Sequence, residues 1–272
     1  MPALAVIGNI SQDISAYPDG RHHTNLGGAA LHLALAATHA GLAAAPVSVI
    51  GRDLAWILTD RRLQTLDLDG VAVTGDEHSC AFRLTYDAHG DLIDVTAHYG
   101  AAQHLTEHTL YRLDRYQRFH VCCRRPLDAA RVLTAITARA ATFSVDFITS
   151  SAADYLAAVA HLLPQAEMVF TNDAEYRLLA ATLDPGSLQA IVVTRGAGPA
   201  TLYRYGRPRA TVQPPTTEAV DLTGAGDTLA GTLLAATAAG ATDREALHSA
   251  VTAATAKVGT LHHVLPPPAP QE

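Results

Sequence analysis

Seven residues near the C-terminus have types and spacing that suit chemistry on a phosphate. Residues 221–227 read D-L-T-G-A-G-D, and an apolar stretch with the length of a helix runs from 226 to 239. Gly224 and Gly226 lack side chains, so backbone N–H groups can approach an anion closely. The positive end of the helix dipole lies at the same place. The segment therefore predicts an anion hole at the start of a helix.

Asp227 falls in the first turn of this predicted helix. The helix dipole favours its ionised form, and the anion hole beside it can hold a phosphoryl group during transfer. A carboxylate in this position suits removal of a proton from an attacking hydroxyl. The alternative is a helix cap, in which the Asp227 side chain accepts hydrogen bonds from backbone N–H groups.

The seven-residue block 221–227 as a whole is a more specific signal of function than either glycine alone. D-L-T-G-A-G-D-T-L closely resembles the D-T-x-G-A-G-D-x-F signature of the ribokinase-like carbohydrate kinases, the PfkB family. The resemblance implies that Asp227 is the catalytic base and that the backbone of Gly224, Ala225 and Gly226 stabilises the phosphoryl charge. It also implies that Thr223 contacts the nucleotide. Leu222 departs from the family pattern at a position that is not catalytic.

The N-terminal part resembles the acceptor-binding elements of the same family. The resemblance implies that Asp13, after the first strand, binds sugar hydroxyls, which suits a carboxylate acceptor. Gly27 and Gly28 match a G-G-x-x-x-N element, with His32 in the place of the asparagine. Without this context, Asp13 reads as a turn residue at a strand end. His32 is a polar contact to the acceptor or a buried core histidine, and both interpretations stay open.

Two further family elements are altered in this chain. Ala102 stands where the family often has an asparagine in G-A-N. Asp146 stands where it often has D-x-N-x-R, but Phe147, Ile148 and Thr149 follow instead. The resemblance therefore implies intact phosphoryl-transfer machinery beside an acceptor pocket that is not the usual one for ribose or fructose.

The nucleotide and metal elements come later in the chain. Asn172 and Glu175 resemble the family's N-x-x-E element, which implies that Glu175 organises Mg²⁺, largely through water. The same spacing is a helix capping box, and both roles can hold together. Thr194 and Gly196 resemble the family turn that lies along the nucleotide, and Arg195 between them contacts a phosphate or is a solvated charge.

Strand and helix patterns alternate along most of the chain. This predicts an α/β fold with a mostly parallel sheet covered on both faces, and the resemblance implies the ribokinase-like three-layer sandwich with a small β lid. We expect one domain over 1–272, a lid from about 11–24 and 76–100, and a disordered tail over 266–272. The predicted strands are 4–7, 47–51, 71–73, 80–87, 92–99, 119–123, 142–146, 168–170, 190–194, 201–205 and 210–213, and the predicted helices are about 29–41, 55–66, 128–141, 152–163, 226–239 and 244–259.

The amino-acid composition limits the classes of partner and of binding motif that the protein can have. A net charge of -7 provides no basic face for nucleic acid. Three cysteines make no disulfide framework, and no leader or membrane span is evident, so a cytoplasmic protein is expected. Lys257 is the only lysine, which excludes a phosphate loop of the G-x-x-x-x-G-K-[ST] type. His104 and His108 match a zinc pattern, but Thr106 begins a predicted helix and leaves His104 outside it.

The resulting prediction is an ATP- and Mg²⁺-dependent kinase that phosphorylates a hydroxyl of a sugar or nucleoside. A homodimer formed through the lid is a further expectation from the resemblance. Two alternatives remain: a non-catalytic sugar- or nucleotide-binding regulator on the same fold, and an ATP-dependent dehydratase of damaged nicotinamide cofactors. The identity of the acceptor does not follow from the sequence.

Overall fold

The computed structural model describes residues 3–16, 18–20, 22–87, 92–218 and 220–259. Its centre is a nine-stranded sheet in the order β13-β12-β11-β10-β9-β8-β1-β4-β5, and a second sheet has the order β3-β2-β6-β7. The strands are β1 Leu4–Ile7, β2 Ser11–Ala16, β3 His22–Gly27, β4 Ala44–Gly51, β5 Val71–Thr74, β6 Cys80–Tyr86, β7 Leu92–His98, β8 Arg118–Cys123, β9 Thr142–Phe147, β10 Met168–Asn172, β11 Ile191–Arg195, β12 Gly198–Arg204 and β13 Arg207–Val212.

Among the described residues, seven α-helices cover the large sheet. They are α1 Ala29–His39, α2 Leu105–Arg112, α3 Ala129–Ala138, α4 Ala152–Val159, α5 Asp173–Thr182, α6 Ala225–Ala238 and α7 Asp243–Val258. None of the helices in the described part of the chain has both the length and the apolar character that a membrane span needs.

The first strand shows why the fold has three layers. Leu4 and Val6 pack into an apolar core with α1, α6 and α7, whereas Ala5 and Ile7 pack into a second core with α2 to α5. Successive strand side chains point to opposite faces, so a continuously apolar strand needs a helix layer on both sides. The predicted α/β class and its mostly parallel sheet are confirmed, with β12 and β13 as the antiparallel edge pair.

The small sheet stands apart from this core. β2 pairs antiparallel with β3 and parallel with β6, and β6 pairs antiparallel with β7. Residues 88–91, between two predicted strands, and the tail predicted at 266–272 lie outside the described residues.

One predicted helix has a different form. Residues 55–66 were expected as an α-helix, and the structure has 3₁₀ helices at Arg52–Thr59 and Arg61–Leu63 instead. The break lies at Asp60, whose backbone is extended and whose side chain accepts a hydrogen bond from the N–H of Arg62 at 2.8 Å. Aspartate stabilises such local turns at the expense of a continuous helix.

The strand order reverses between β1 and β8. From β1 the chain builds outward to β4 and β5 on one side, and from β8 it builds through β9, β10 and β11 on the other. In open α/β sheets the crevice beyond the carboxyl ends of strands at such a point is the usual place for a ligand. Asn9 follows β1 and bridges this crevice, since its side-chain amide donates to the carbonyl of Arg125 at 3.0 Å.

Candidate active site

The start of α6 has the predicted geometry of an anion hole. Gly224 adopts a left-handed conformation with φ of 73° immediately before the helix. The N–H of Ala225 donates to the carbonyl of Leu222 at 3.3 Å, and that of Thr228 donates to the carbonyl of Gly224 at 2.8 Å. Because the first N–H groups of a helix lack intrahelical acceptors, those of Gly226 and Asp227 are the donors best placed for an anion.

Two cavities meet at this helix start. The larger has a volume of about 470 Å³ and lies between the β11–β12 turn, the segment 213–217 and helices α6 and α7. The smaller, of about 390 Å³, lies over the carboxyl ends of β9, β10 and β11. Residues common to both linings include Thr194 and Gly226. A long ligand can therefore extend from one cavity into the other past the anion hole.

Asp227 lies in the smaller cavity, and its side chain is 13% exposed. Burial raises the pKa of Asp227 from its ordinary value of 3.8 to about 6, with Arg124 opposing the rise and Asp146 adding to it. The helix dipole alone was expected to favour ionisation, and burial outweighs it. At pH 7 the carboxylate is still mostly ionised and more basic than a free aspartate, which suits a general base.

Arg124 and Asp146 complete the surroundings of Asp227. Arg124 follows β8 and forms an ion pair with Asp146 on β9, and its Nη2 lies 3.8 Å from Oδ1 of Asp227. Burial works against both charges, but Asp146 raises the pKa of Arg124, and Arg124, followed by His120, lowers the pKa of Asp146. Arg124 and Asp146 are therefore both charged. The sequence motifs assign neither residue a role, although Arg124 directly follows β8, Asp146 lies near the carboxyl end of β9, and these parallel strands end at one sheet edge.

Glu175 lines the smaller cavity, is buried, and is held in place by a capping box at the start of α5. Its carboxylate accepts from the N–H of Asn172 at 2.9 Å and from the hydroxyl of Thr149 at 2.8 Å. In return, Asn172 Oδ1 accepts from the N–H of Glu175 at 2.9 Å. Burial raises the pKa of Glu175, with these hydrogen bonds opposing the rise. The capping-box interpretation is confirmed, and the predicted metal role stays a prediction.

These residues fit Mg²⁺ held mainly through water. Both carboxylate oxygens of Glu175 already accept a protein hydrogen bond, so direct ligation by this residue would have to displace one. Mg²⁺ keeps several waters and takes one or two carboxylates together with phosphate oxygens. The oxygen groups lining the cavity, including Asn172, Glu175 and Asp227, match that requirement.

The predicted acceptor residues lie at the start of α1 or beside it. A side chain on Gly27 would collide with the carboxylate of Asp13, and one on Gly28, where φ is 103°, would collide with the backbone at Asn9. His32 is buried, and a Cβ on Gly224 would lie only 3.0 Å from its ring. His32 therefore packs directly against the anion-hole turn, which links the acceptor elements to the phosphoryl site.

Burial also raises the pKa of Asp13, to about 6, with the hydroxyl of Ser11 opposing the rise and Asp221 adding to it. Ser11 donates to Asp13 Oδ1 at 2.8 Å. The second oxygen faces Gly27. This carboxylate can accept hydrogen bonds from hydroxyls, as the sequence predicts.

Sequence comparison assigns the family. Residues 1–269 match the sequence model of the family described as pfkB family carbohydrate kinase. The chain belongs to the pfkB family of carbohydrate kinases. The predictions of this family and of a sugar or nucleoside kinase, a phosphotransferase with an alcohol group as acceptor, are confirmed.

A curated relative and two solved structures resemble this pfkB-family kinase. The chain is 28% identical over 249 residues to a protein named cytidine kinase from Thermococcus kodakarensis, covering 85% of this chain and 87% of the relative. Burkholderia thailandensis nucleoside kinase in complex with inosine has a TM-score of 0.81 at 21% identity, covering 98% of this chain and 94% of that one. An Escherichia coli protein described as a putative ribokinase II, in complex with ATP and Mg²⁺, has a TM-score of 0.80 at 20% identity, covering 97% and 95%. The ribokinase-like fold is thereby confirmed.

The remaining residues that were predicted to contact the nucleotide have different surroundings in the structure. Thr194 and Gly196 line the larger cavity together with residues of α7. Arg195 is exposed and its Nε lies 3.1 Å from Asp173, which favours the solvated-charge interpretation. Thr223 is exposed and lines neither cavity, and its N–H donates to Asp221 at 2.8 Å. Its predicted contact with the nucleotide stays a prediction.

Two further groups of possible metal ligands among the described residues do not suit a metal ion. His104 precedes α2 and lies 3.2 Å from Glu77, so the zinc pattern is split between elements as predicted. His120, Cys122 and Asp146 lie close enough to share an ion. However, burial raises the pKa of Cys122 well above its ordinary value, and Arg124 already neutralises Asp146. A protonated thiol beside a guanidinium is a poor cation site.

Proposed function

We propose that this kinase transfers the γ-phosphoryl group of ATP to a hydroxyl of a nucleoside. The observation that carries the proposal is the position of Asp227, ionisable and adjacent to the anion hole where the two cavities meet. The relative named cytidine kinase and the similar structure that holds inosine support a nucleoside rather than a free sugar.

The larger cavity suits the adenine end of ATP. Its lining is mainly apolar or small, with Leu229 of α6 and Val251, Ala254 and Val258 of α7. Flat aromatic bases bind well between apolar walls of this kind. The triphosphate then extends past Gly226 into the smaller cavity, which brings the γ-phosphate to the anion hole.

The residues of the chain act in a simple order. Asp13 orients the acceptor through its hydroxyls, and Asp227 accepts the proton of the attacking hydroxyl as the new O–P bond forms. The N–H groups of Gly226 and Asp227 stabilise the charge on the phosphoryl oxygens. Mg²⁺, which Asn172 and Glu175 would hold through water, neutralises phosphate charge when bound. The small sheet β3-β2-β6-β7 acts as the lid and excludes water, which would otherwise hydrolyse ATP.

A panel of acceptors tests this function. Purified protein is incubated with ATP, Mg²⁺ and cytidine, inosine, adenosine, ribose or fructose, and both ADP and the phosphorylated product are measured. We expect a nucleoside monophosphate as the main product. Turnover of free sugars alone would overturn the nucleoside assignment. Ligand binding without any turnover would favour the regulator, and ADP formed only with a hydrated nicotinamide cofactor would favour the dehydratase.

The rate is expected to depend on two carboxyl groups with a pKa of about 6, those of Asp13 and Asp227. Both act in the ionised form, so kcat/KM should be constant well above this pH and fall below it. When both groups titrate, the logarithm of kcat/KM falls by up to about two per pH unit. Asp13→Asn should reduce that limiting slope to about one. A profile from pH 5 to 8 checks this, and a flat profile would contradict both roles.

Assembly and location remain predictions. β7 is an edge of the small sheet, and Ile93 and Val95 on it are 62% and 51% exposed. An exposed apolar edge strand can pair with another chain, which supports a homodimer through the lid. Measurement of the molar mass in solution tests this assembly.

A cytoplasmic location fits the ATP donor and the three cysteines, which form no disulfide. Tracking a tagged chain in cells would check this location.

A further inference from the structure

The cavity assigned to the phosphates has one positive side chain among its described lining residues. Asp146, Glu175 and Asp227 contribute carboxylates to that lining, and Arg124 contributes the cation. No lysine, arginine or histidine appears in the described lining of the larger cavity. With a net charge of -7, the protein has no general positive field to hold a triphosphate. Within this lining, side-chain positive charge comes from Arg124, and a bound metal ion would add to it.

The geometry places this guanidinium beside the reacting atoms. Nη2 of Arg124 lies 3.8 Å from Oδ1 of Asp227. A hydroxyl that gives its proton to Asp227 must come within about 3 Å of that carboxylate, and the phosphorus is roughly 3 Å beyond it. A phosphoryl group on the Arg124 side of that hydroxyl can place an equatorial oxygen within reach of a donor on Arg124.

Arg124 is both held in place and left with free donors. Asp146 binds Nη2 from the neighbouring strand, and His120 lies 3.6 Å behind Asp146, which is buried between them. Nη2 is the only guanidinium nitrogen that makes a hydrogen bond within the described part of the chain, and Nε is buried without an acceptor. Five N–H donors with one acceptor leave capacity for phosphate oxygens.

We propose that Arg124 is a catalytic residue that donates hydrogen bonds to the transferring phosphoryl group, and that Asp146 is the residue that positions it. This inference rests on the proposed function. The hydroxyl oxygen forms the new bond to phosphorus, and its proton goes to Asp227. The bond from phosphorus to the β–γ bridging oxygen breaks, and its electron pair leaves with ADP. Arg124 stays protonated throughout and stabilises the charge of the phosphoryl oxygens.

Arg124→Gln is the direct test. We expect kcat to fall by roughly 10²- to 10³-fold, with the KM of the nucleoside changed by less than about threefold, because the contact strengthens in the transition state. Arg124→Lys should recover part of the loss, since it restores the charge without the planar fork. The matched control is Arg125→Gln, which removes the neighbouring arginine; that side chain is 63% exposed and pairs with an exposed Asp154. The control should keep wild-type rates.

A second readout separates electrostatics from packing. Asp227 is faced by Arg124 and His120 from β8 and its end, by Asp146 from β9 and by Lys257 from α7. Since Arg124 opposes the rise in the pKa of Asp227, its removal should move the acidic limb of kcat/KM to higher pH. Arg124→Gln combined with Asp146→Asn removes both buried charges, and a folded double variant should show the same loss of kcat.

The outcomes distinguish this inference from the proposed function. Unchanged kcat in folded Arg124→Gln, with wild-type turnover intact and Asp227→Asn inactive, would overturn the role of Arg124 alone. A rise in nucleoside KM without loss of kcat would also overturn it, since Arg124 would then bind the acceptor. An inactive wild-type protein with every nucleoside would instead overturn the proposed function.

Discussion

Asp227→Asn is expected to lower kcat by about 10²- to 10⁴-fold, the range found for loss of a general base. Asparagine fills the same volume but cannot accept the hydroxyl proton, so the chemical step fails while the cavities keep their shape. The affinity for ATP should be nearly unchanged, because the amide groups at the start of α6 remain. Steady-state kinetics with a nucleoside, together with calorimetric titration of ATP, measures both quantities.

Stability provides a check on this variant. The pKa of Asp227 is about 6 in the folded protein against an ordinary 3.8, so the folded state holds the proton more tightly than the unfolded chain. The contribution of Asp227 to the free energy of unfolding is therefore less favourable at pH 7 than well below pH 4, where the group is protonated in both states. Removing the charge should leave the melting temperature at pH 7 unchanged or higher. Asp154→Asn, at an exposed ion pair, is the matched control and should keep full activity. Retained turnover in Asp227→Asn would refute its role as the base.

The anion hole could be predicted because it depends on local sequence. A left-handed Gly224, a helix start and a carboxylate in the first turn all follow from seven adjacent residues. Most strands of the large sheet were also predictable, because they are short apolar runs bounded by polar or small residues; β13 is an exception, since it begins with the exposed residues Arg207, Pro208 and Arg209. The 3₁₀ segment at Arg52–Thr59 was not, since it has the composition of a helix and differs only in its local hydrogen bonding.

The ion pair beside Asp227 could not be derived from local patterns. Arg124 and Asp146 meet because β8 and β9 are parallel neighbours in a register that pairs Cys122 with Asp146. Register and strand order are properties of the whole sheet. A more general rule points to both residues. The site lies where the strand order reverses, so candidates for it are polar residues at the carboxyl ends of the strands there.

Thr149 illustrates the same limit. Its position was treated as part of a missing family element, yet its hydroxyl donates to Glu175 at 2.8 Å and accepts from the side-chain amide of Asn172 at 2.8 Å. Residues from the β9 and β10 ends thus support each other across 23 or more positions of sequence. A motif compared one residue at a time does not reveal hydrogen bonds of this kind between the ends of neighbouring strands.

Gly224→Ala is expected to reduce kcat by about 10³-fold, the upper range for loss of an oxyanion-hole donor. Two causes act together. An alanine at φ of 73° is strained, by about 1–2 kcal/mol, and its Cβ would lie 3.0 Å from the ring of His32. The turn must therefore shift, and the N–H groups of Gly226 and Asp227 move with it. Because these donors act on the transition state, kcat should fall more than the affinity for ATP changes.

Gly240→Ala separates backbone strain from catalysis. Gly240 lies beyond the other end of α6, has a φ of 84°, and has open space where a Cβ would stand. Both variants carry the same kind of left-handed strain and should lower the melting temperature, but only Gly224→Ala should lose the phosphoryl-transfer rate. Thermal unfolding and kcat measured on both proteins test this directly. Equal activity in the two variants would mean that the turn before α6 does not orient the transferring phosphoryl group, since displacement of its amides would then have no effect on the step that depends on them.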